Sequence, residues 1–259
     1  MNKKELLQEL REEGFSDSII KAFEKVKRED FVPEHLKSYA YRNEPLPIAL
    51  GSTISQPYTI AFMLNLLELD KLKNKIINKD KKLLTNNYNK LVIDNISNSK
   101  QDKLGKSSQE GERNSTPLSN INNIKILEIG SGSGYVLALT SEILKNILKI
   151  KNYEIYGVEV IDELVEKSKK VLKKEIKNKK IHVVRGDGSK GLSEKSPFDR
   201  ILVSAAFEKI PEKLFSQLKN NGILVTPVRN SIFQFKKQDG KIKSKEFPGF
   251  VFVPVVEEN

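Results

Sequence analysis

Between Lys125 and Val136 the chain reads KILEIGSGSGYV, and that stretch leaves the polypeptide little choice of local structure. The apolar run Ile126-Leu127-Glu128-Ile129 has the character of a buried strand. Glycines follow at Gly130, Gly132 and Gly134, and then the helical pattern Val136-Leu137-Ala138-Leu139. The spacing predicts a strand, a tight turn and a helix. Glycine tolerates φ > 0 and lets a ligand approach where a Cβ would stand, while the helix start offers unpaired N–H groups and the positive end of a dipole. A dinucleotide fingerprint would need its third glycine at position 135, which is Tyr135. The loop is instead G-x-G-x-G with Glu128 two residues ahead of it, a spacing that points away from a dinucleotide.

Downstream, strand and helix patterns alternate. Strands are expected at Glu154–Val160, Ile181–Gly186, Phe198–Ala205 and Gly222–Val228. Helices are expected at Asp162–Lys177, with Leu164, Val165, Val171 and Leu172 inward, and at Pro211–Lys219. Ser231–Lys237 and Lys241–Val256 read as a terminal antiparallel pair around Gln238-Asp239-Gly240. Such alternation implies an α/β fold with a doubly wound, mostly parallel sheet. Upstream, residues 3–27 read as two covering helices, with Gly14 as a stop and Ser16 as an N-cap. Arg28–Pro57 holds Pro33, Pro45, Pro47 and Pro57 and shows no strand alternation, so it reads as a long ordered loop; residues 58–69 return to helical periodicity. Residues 71–122 are rich in Asn and Lys with one short apolar cluster, Lys90-Leu91-Val92-Ile93, and are expected to be a disordered or surface insertion.

Composition removes several chemistries. The chain has no cysteine, which excludes disulfides, thiolate metal sites and a cysteine nucleophile. The two histidines, His35 and His182, are too few for a cluster and read as structural, so no metal site is expected. A net charge of +11 invites a nucleic-acid reading, but the lysines are interspersed with acids and lack interleaved aromatics, so solvated faces explain them and no nucleic-acid partner is expected. No apolar run approaches eighteen residues, and the start MNKKELLQELREEG lacks a signal-like core. A cytoplasmic protein without membrane contact is expected.

Ligands of open α/β sheets sit beyond the carboxyl ends of the strands. Acids stand at three of those ends: Glu128, Glu159 and Asp187, the last within Arg185-Gly186-Asp187-Gly188. Glu159 is placed to accept both hydroxyls of a ribose, and Asp187 to accept from an exocyclic adenine amine while the Gly188 N–H faces the ring. Each acid alone would be an ordinary solvated strand end. Three of them in register with the glycine loop mark a nucleoside-bearing cofactor.

The loop itself resembles the S-adenosylmethionine loop of Rossmann-like methyltransferases. In those proteins the acid and the glycine backbone, here Glu128, Gly130, Ser131, Gly132 and Gly134, face the amino-acid end of the cofactor. A wider set of motifs resembles the protein-L-isoaspartate O-methyltransferase family over nearly the whole chain except 71–122: Asp30-Phe31-Val32-Pro33-Glu34, Pro45-Leu46-Pro47-Ile48, Thr53-Ile54-Ser55-Gln56-Pro57, Glu128–Tyr135, Gly186-Asp187-Gly188 and Phe198-Asp199-Arg200-Ile201. The resemblance implies that residues 1–70 supply the N-terminal helices and substrate-side loop of a single catalytic domain, whose S-adenosylmethionine-binding core is 123–259. It implies Ser55 as the active-site serine, with Thr53 and Ile54 beside it and Val203, Ser204 and Ala205 gripping the isoaspartyl peptide. The expected reaction passes a methyl group to the carboxylate of L-isoaspartyl residues in damaged proteins, leaving S-adenosylhomocysteine, and the expected enzyme is a monomer. A carboxylate acceptor is already ionised near neutral pH, so the reaction needs alignment rather than a general base.

Asn43, Ala49, Ser52 and Phe207-Glu208 depart from the family's usual residues. Two rivals remain at this level. An RNA adenine methyltransferase would carry an Asn- or Asp-Pro-Pro-aromatic motif where this chain has Ser204-Ala205-Ala206-Phe207. A cofactor-binding protein with weakened catalysis has only Asn43, Ala49 and Ser52 in its favour.

Overall fold

The computed structural model describes residues 1–73 and 123–255, so the expected insertion at 71–122 lies, but for its first three residues, outside the described residues. The chain divides into two units, Met1–Leu69 with Asn123–Asn259 and Asp70–Asn122, and all the elements named below belong to the first.

Helix α1 (Lys3–Glu12) opens with a capping box: Asn2 Oδ1 accepts from the N–H groups of Lys4 and Glu5, and the Glu5 carboxylate accepts from the Asn2 N–H. It buries Leu6, Leu7 and Leu10; α2 (Asp17–Lys25) buries Ile19, Ile20, Ala22 and Phe23. Two 3-10 turns, Arg28–Phe31 and Glu34–Tyr39, lead into the antiparallel strands β1 (Leu46–Ala49) and β2 (Ser52–Ile54), with Leu46 opposite Ile54. The segment expected to be a strandless loop therefore contains a hairpin. Strands of three and four residues are too short to show alternation, and the turn depends on left-handed backbone at Leu50 and Gly51. Helix α3 (Pro57–Leu66) starts on Pro57, whose missing N–H costs nothing at that position.

The main sheet comprises β3 (Ile124–Ile129), β4 (Tyr153–Glu159), β5 (Ile181–Arg185), β6 (Phe198–Val203), β7 (Leu218–Val228), β8 (Ser231–Gln238) and β9 (Lys241–Pro248), in the order β5-β4-β3-β6-β7-β8-β9. Pairings from β5 to β7 are parallel, and β8 and β9 are antiparallel to their neighbours. The connecting helices are α4 (Tyr135–Glu142, continued by a π-helical turn Ile143–Ile147), α5 (Asp162–Val171), α6 (Lys173–Lys177) and α7 (Lys213–Ser216). Leu127, Ile129, Val158, Ile201, Val203, Leu224 and Phe235 form part of one buried cluster. The doubly wound, mostly parallel sheet with a helical N-terminal cover is as expected.

Several boundaries differ. The single helix expected over Asp162–Lys177 breaks at Leu172, which leaves the helical region and is 2% exposed, whereas Val171, expected inward, is 41% exposed. Strand β7 begins at Leu218 rather than Gly222, and this shortens the helix expected at Pro211–Lys219 to α7. The polar Lys219-Asn220-Asn221 is accommodated by a register shift between Phe198 and Arg200, with Asn221 at φ 62°. The final strand stops at Pro248, where Gly249 turns at φ 93°.

The Phe198-Asp199-Arg200-Ile201 motif proves architectural. Buried Asp199 accepts the Lys125 N–H at 3.0 Å and the Lys219 ammonium at 2.5 Å. Buried Arg200 donates to the carbonyls of Leu67 and Glu68, and Gln234 donates to that of Leu66, so side chains from the sheet satisfy the carbonyls that end α3. The strand order reverses between β3 and β6, which is where such sheets bind ligands.

Candidate active site

At that reversal lie two adjoining cavities, which share Ile48, Thr53, Gly130 and Gly132. The first brings together Thr53, Ile54 and Ser55 from β2 and the turn after it, Glu128 from β3, Gly130, Ser131 and Gly132 from the loop, and Ser204 from the end of β6. The second brings together Glu159, Gly188 and Ala205, with Ser52 and the tail residues Val253, Pro254 and Val255.

The glycine loop is braced from β4. Glu159 Oε2 accepts the Gly132 N–H at 2.8 Å, and Oε1 accepts the N–H groups of Val160 and Ile161. A carboxylate has about four acceptor positions and three are taken, so this one keeps about one, on Oε2, enough for one ribose hydroxyl rather than the two expected. Gly130 and Gly132 adopt φ 71° and 52°, conformations that side chains rarely take. Tyr135, at the position a third dinucleotide glycine would occupy, is buried against Phe31 and Phe23, with ring centroids 5.3 and 6.1 Å away. An apolar anchor thus docks the loop onto the N-terminal cover.

Two buried polar atoms in the first cavity have no hydrogen-bond partner among the described residues: Glu128 Oε2 and Ser131 Oγ. The other Glu128 oxygen accepts from the Ser204 hydroxyl at 2.9 Å. Burial lifts the Glu128 carboxyl to about 8, opposed by the Ser204 hydrogen bond and reinforced by the Glu159 charge. Unpaired buried polar atoms of this kind are uncommon, and a polar ligand in the cavity would satisfy them. A cation supplied at Oε2 would hold Glu128 ionised.

Three expected site residues are not among those lining the two cavities, although Asp187 stands between Gly186 and Gly188, which line the second. Asp187 caps the turn after β5, accepting the Ser189 N–H at 2.8 Å and facing Lys190 at 3.3 Å, and it borders a different groove with Phe207 and Arg229. Gly134 sits at the start of α4, where a Cβ would stand 2.8 Å from Leu172 Cδ1, so it permits helix packing. Val203 is wholly buried in the sheet. His182 stacks on Tyr156 at 4.8 Å beside Glu154. Among the departures, Asn43 ties α3 to α1. Its Oδ1 accepts the Tyr58 N–H at 2.9 Å in the first turn of α3, and its amide donates to Glu9 at 2.5 Å.

Sequence reasoning missed the tail, which reaches the second cavity by pairing with Ala206: the Ala206 N–H donates to the Val253 carbonyl and the Val255 N–H to the Ala206 carbonyl, both at 2.8 Å. It also missed Arg28. The only signal for that residue was a charged side chain opening an otherwise proline-rich loop.

S-adenosylmethionine carries an ammonium that suits Glu128 Oε2, a carboxylate that suits the Ser131 hydroxyl and a ribose hydroxyl that suits the remaining acceptor position of Glu159. Fold and cleft together are those of a Rossmann-like methyltransferase dependent on that cofactor. The family model for protein-L-isoaspartate(D-aspartate) O-methyltransferase matches residues 1–78 and 117–259. Relatives named protein-L-isoaspartate O-methyltransferase include one from Thermococcus onnurineus (strain NA1), 34% identical over 98% of this chain and 92% of its own length. Another, from Petrotoga mobilis (strain DSM 10674 / SJ95), is 35% identical over 96% and 92%. Among solved structures, a Plasmodium falciparum protein assigned to the same activity and bound to S-adenosyl-L-homocysteine superposes over 100% of both chains with a TM-score of 0.69 at 22% identity, which shows a shared fold. The chain belongs to the protein-L-isoaspartate(D-aspartate) O-methyltransferase family.

Proposed function

We propose that this chain methylates the side-chain carboxylate of L-isoaspartyl residues in proteins and peptides, with Ser55 orienting the acceptor. S-adenosylmethionine, when bound, supplies an electrophilic methyl group on a sulfonium. One observation carries the assignment of roles: Ser55 and Glu128 line the same cavity, while Glu159 lines the adjoining one. The amino-acid end of the cofactor, held by Glu128 and Ser131, then lies in the compartment that Ser55 faces, and the ribose lies beside Glu159. In a reaction limited by alignment, the Ser55 hydroxyl donates to one carboxylate oxygen and leaves the other free to attack. Thr53, Ile54, Ser204 and Ala205 border the same cleft and contribute to the grip on the peptide.

The proposal extends to a cytoplasmic monomer, consistent with a cysteine-free composition. Among the described residues no helix is long and apolar enough to cross a membrane. The segment 71–122 is read as an insertion in one catalytic domain, and the gap in the family match between residues 78 and 117 supports this. The deciding assay is methyl transfer to an isoaspartyl peptide beside its aspartyl twin. Transfer confined to the isoaspartyl form is expected; transfer to both, or to neither, would overturn the reading.

A further inference from the structure

Arg28 is 0% exposed, although arginine is among the costliest side chains to bury. Burial brings its guanidinium down to about 10, with the Tyr135, Glu44 and Tyr41 charges acting in the opposite direction. Its hydrogen bonds, among the described residues, run only to main-chain carbonyls. Nη1 donates to Ala40 at 2.7 Å and Arg42 at 3.3 Å; Nη2 donates to Ser55 at 3.0 Å, Glu44 at 3.2 Å and Ile54 at 3.5 Å. One planar fork therefore gathers the strand-poor segment 40–44 and the end of β2 where Ser55 leaves for α3.

A side chain needed only for burial would be apolar. A side chain needed only for charge would face a carboxylate. The fork does something else: it fixes the backbone at Ile54 and Ser55, the latter a residue that lines the first cavity. At the opposite end of α3, Arg200 holds the carbonyls of Leu67 and Glu68 in the same manner. The helix that follows Ser55 is thus held at both ends by buried guanidinium groups.

We infer that Arg28 is a positioning residue for methyl transfer, acting through Ser55 on the alignment of the acceptor carboxylate and not on cofactor binding. The inference rests on the acceptor role proposed for Ser55. Lysine in its place would keep the charge but bring three donors from a point rather than a planar fork, and methionine would keep only the stem.

The test is a double-mutant cycle on the full-length enzyme, pairing Arg28→Lys and Arg28→Met with Ser55→Ala and measuring kcat on an isoaspartyl peptide, S-adenosylhomocysteine Kd and Tm. A kcat loss of about ten- to a hundred-fold is expected for Arg28→Met and a smaller one for Arg28→Lys, with Kd within about twofold of the parent. Added to Ser55→Ala, either change should cost little more, because the residue it positions is gone. Losses that multiply, a Kd that rises in step with the fall in kcat, or an unchanged kcat would each overturn the inference. So would a collapse of Tm in both Arg28 variants, which would assign the residue to the fold alone. If the parent itself fails to methylate the isoaspartyl peptide, it is the function proposed above that fails, independently of Arg28.

Discussion

The Ser204 hydroxyl donates to Glu128 Oε1 at 2.9 Å and so joins the ends of β6 and β3 across the point where the sheet reverses. The bond leaves Oε2 of a buried carboxyl without a partner among the described residues. Everything proposed for the cofactor's amino-acid end turns on that asymmetry.

The first prediction concerns pH. Glu128 has a folded value near 8, above its ordinary 4.5, so between these limits the folded state holds a proton that the unfolded state has released. Its contribution therefore favours folding below about pH 4.5, declines as pH rises and levels off above about 8, with a slope of up to about 1.4 kcal/mol per pH unit. Denaturant unfolding of the ligand-free protein from about pH 5 to 8 should show this decline for the parent and a flatter profile for Glu128→Gln. Parallel profiles would mean that Glu128 is ionised in the folded protein.

Glu159→Ala removes both the brace on the Gly132 N–H and the acceptor facing the second cavity. S-adenosylhomocysteine binding should weaken by about 1–3 kcal/mol, the scale for losing a charged hydrogen-bond partner. Titration calorimetry returning the parental Kd would sink the ribose assignment.

Ser55→Ala should slow methyl transfer by about 2–4 kcal/mol in the barrier, tens- to several-hundred-fold, while leaving cofactor affinity nearly unchanged. Steady-state kinetics paired with a binding measurement separates the two. Retention of full turnover would make Ser55 a turn residue.

Deleting residues 74–120 and closing the gap with a short linker should leave Tm within about 5 °C and S-adenosylhomocysteine affinity intact, because shortening a loop changes closure entropy only slightly. Thermal melts lower by tens of degrees would show that the segment contributes to the folded core.

Period and local chemistry made a large part of this protein legible before any fold was known. The G-x-G-x-G turn, the strand–helix alternation and the acids at Glu128 and Glu159 could be read because each follows from spacing along one segment. Ser55 was singled out by the family resemblance of the Thr53–Pro57 motif rather than by spacing, and it lines the first cavity. Tertiary structure settled what depends on distant partners. Asp187, which in sequence looks much like Glu159, caps its own loop, with the Ser189 N–H and Lys190 as partners that the strand-end pattern did not reveal. Leu172 packs inward as expected, but Val171, expected beside it, is exposed where the helix breaks. Strands β1 and β2 formed only because each supplied the other's ladder. Arg28 found carbonyls up to 27 residues ahead of it, Ser55 among them, and the tail reached the second cavity through Ala206, far from it in sequence. Hydrophobic period is a property of neighbours along the chain, whereas a buried charge or an unpaired strand edge settles wherever the fold brings a partner, and no local pattern records that partner's address.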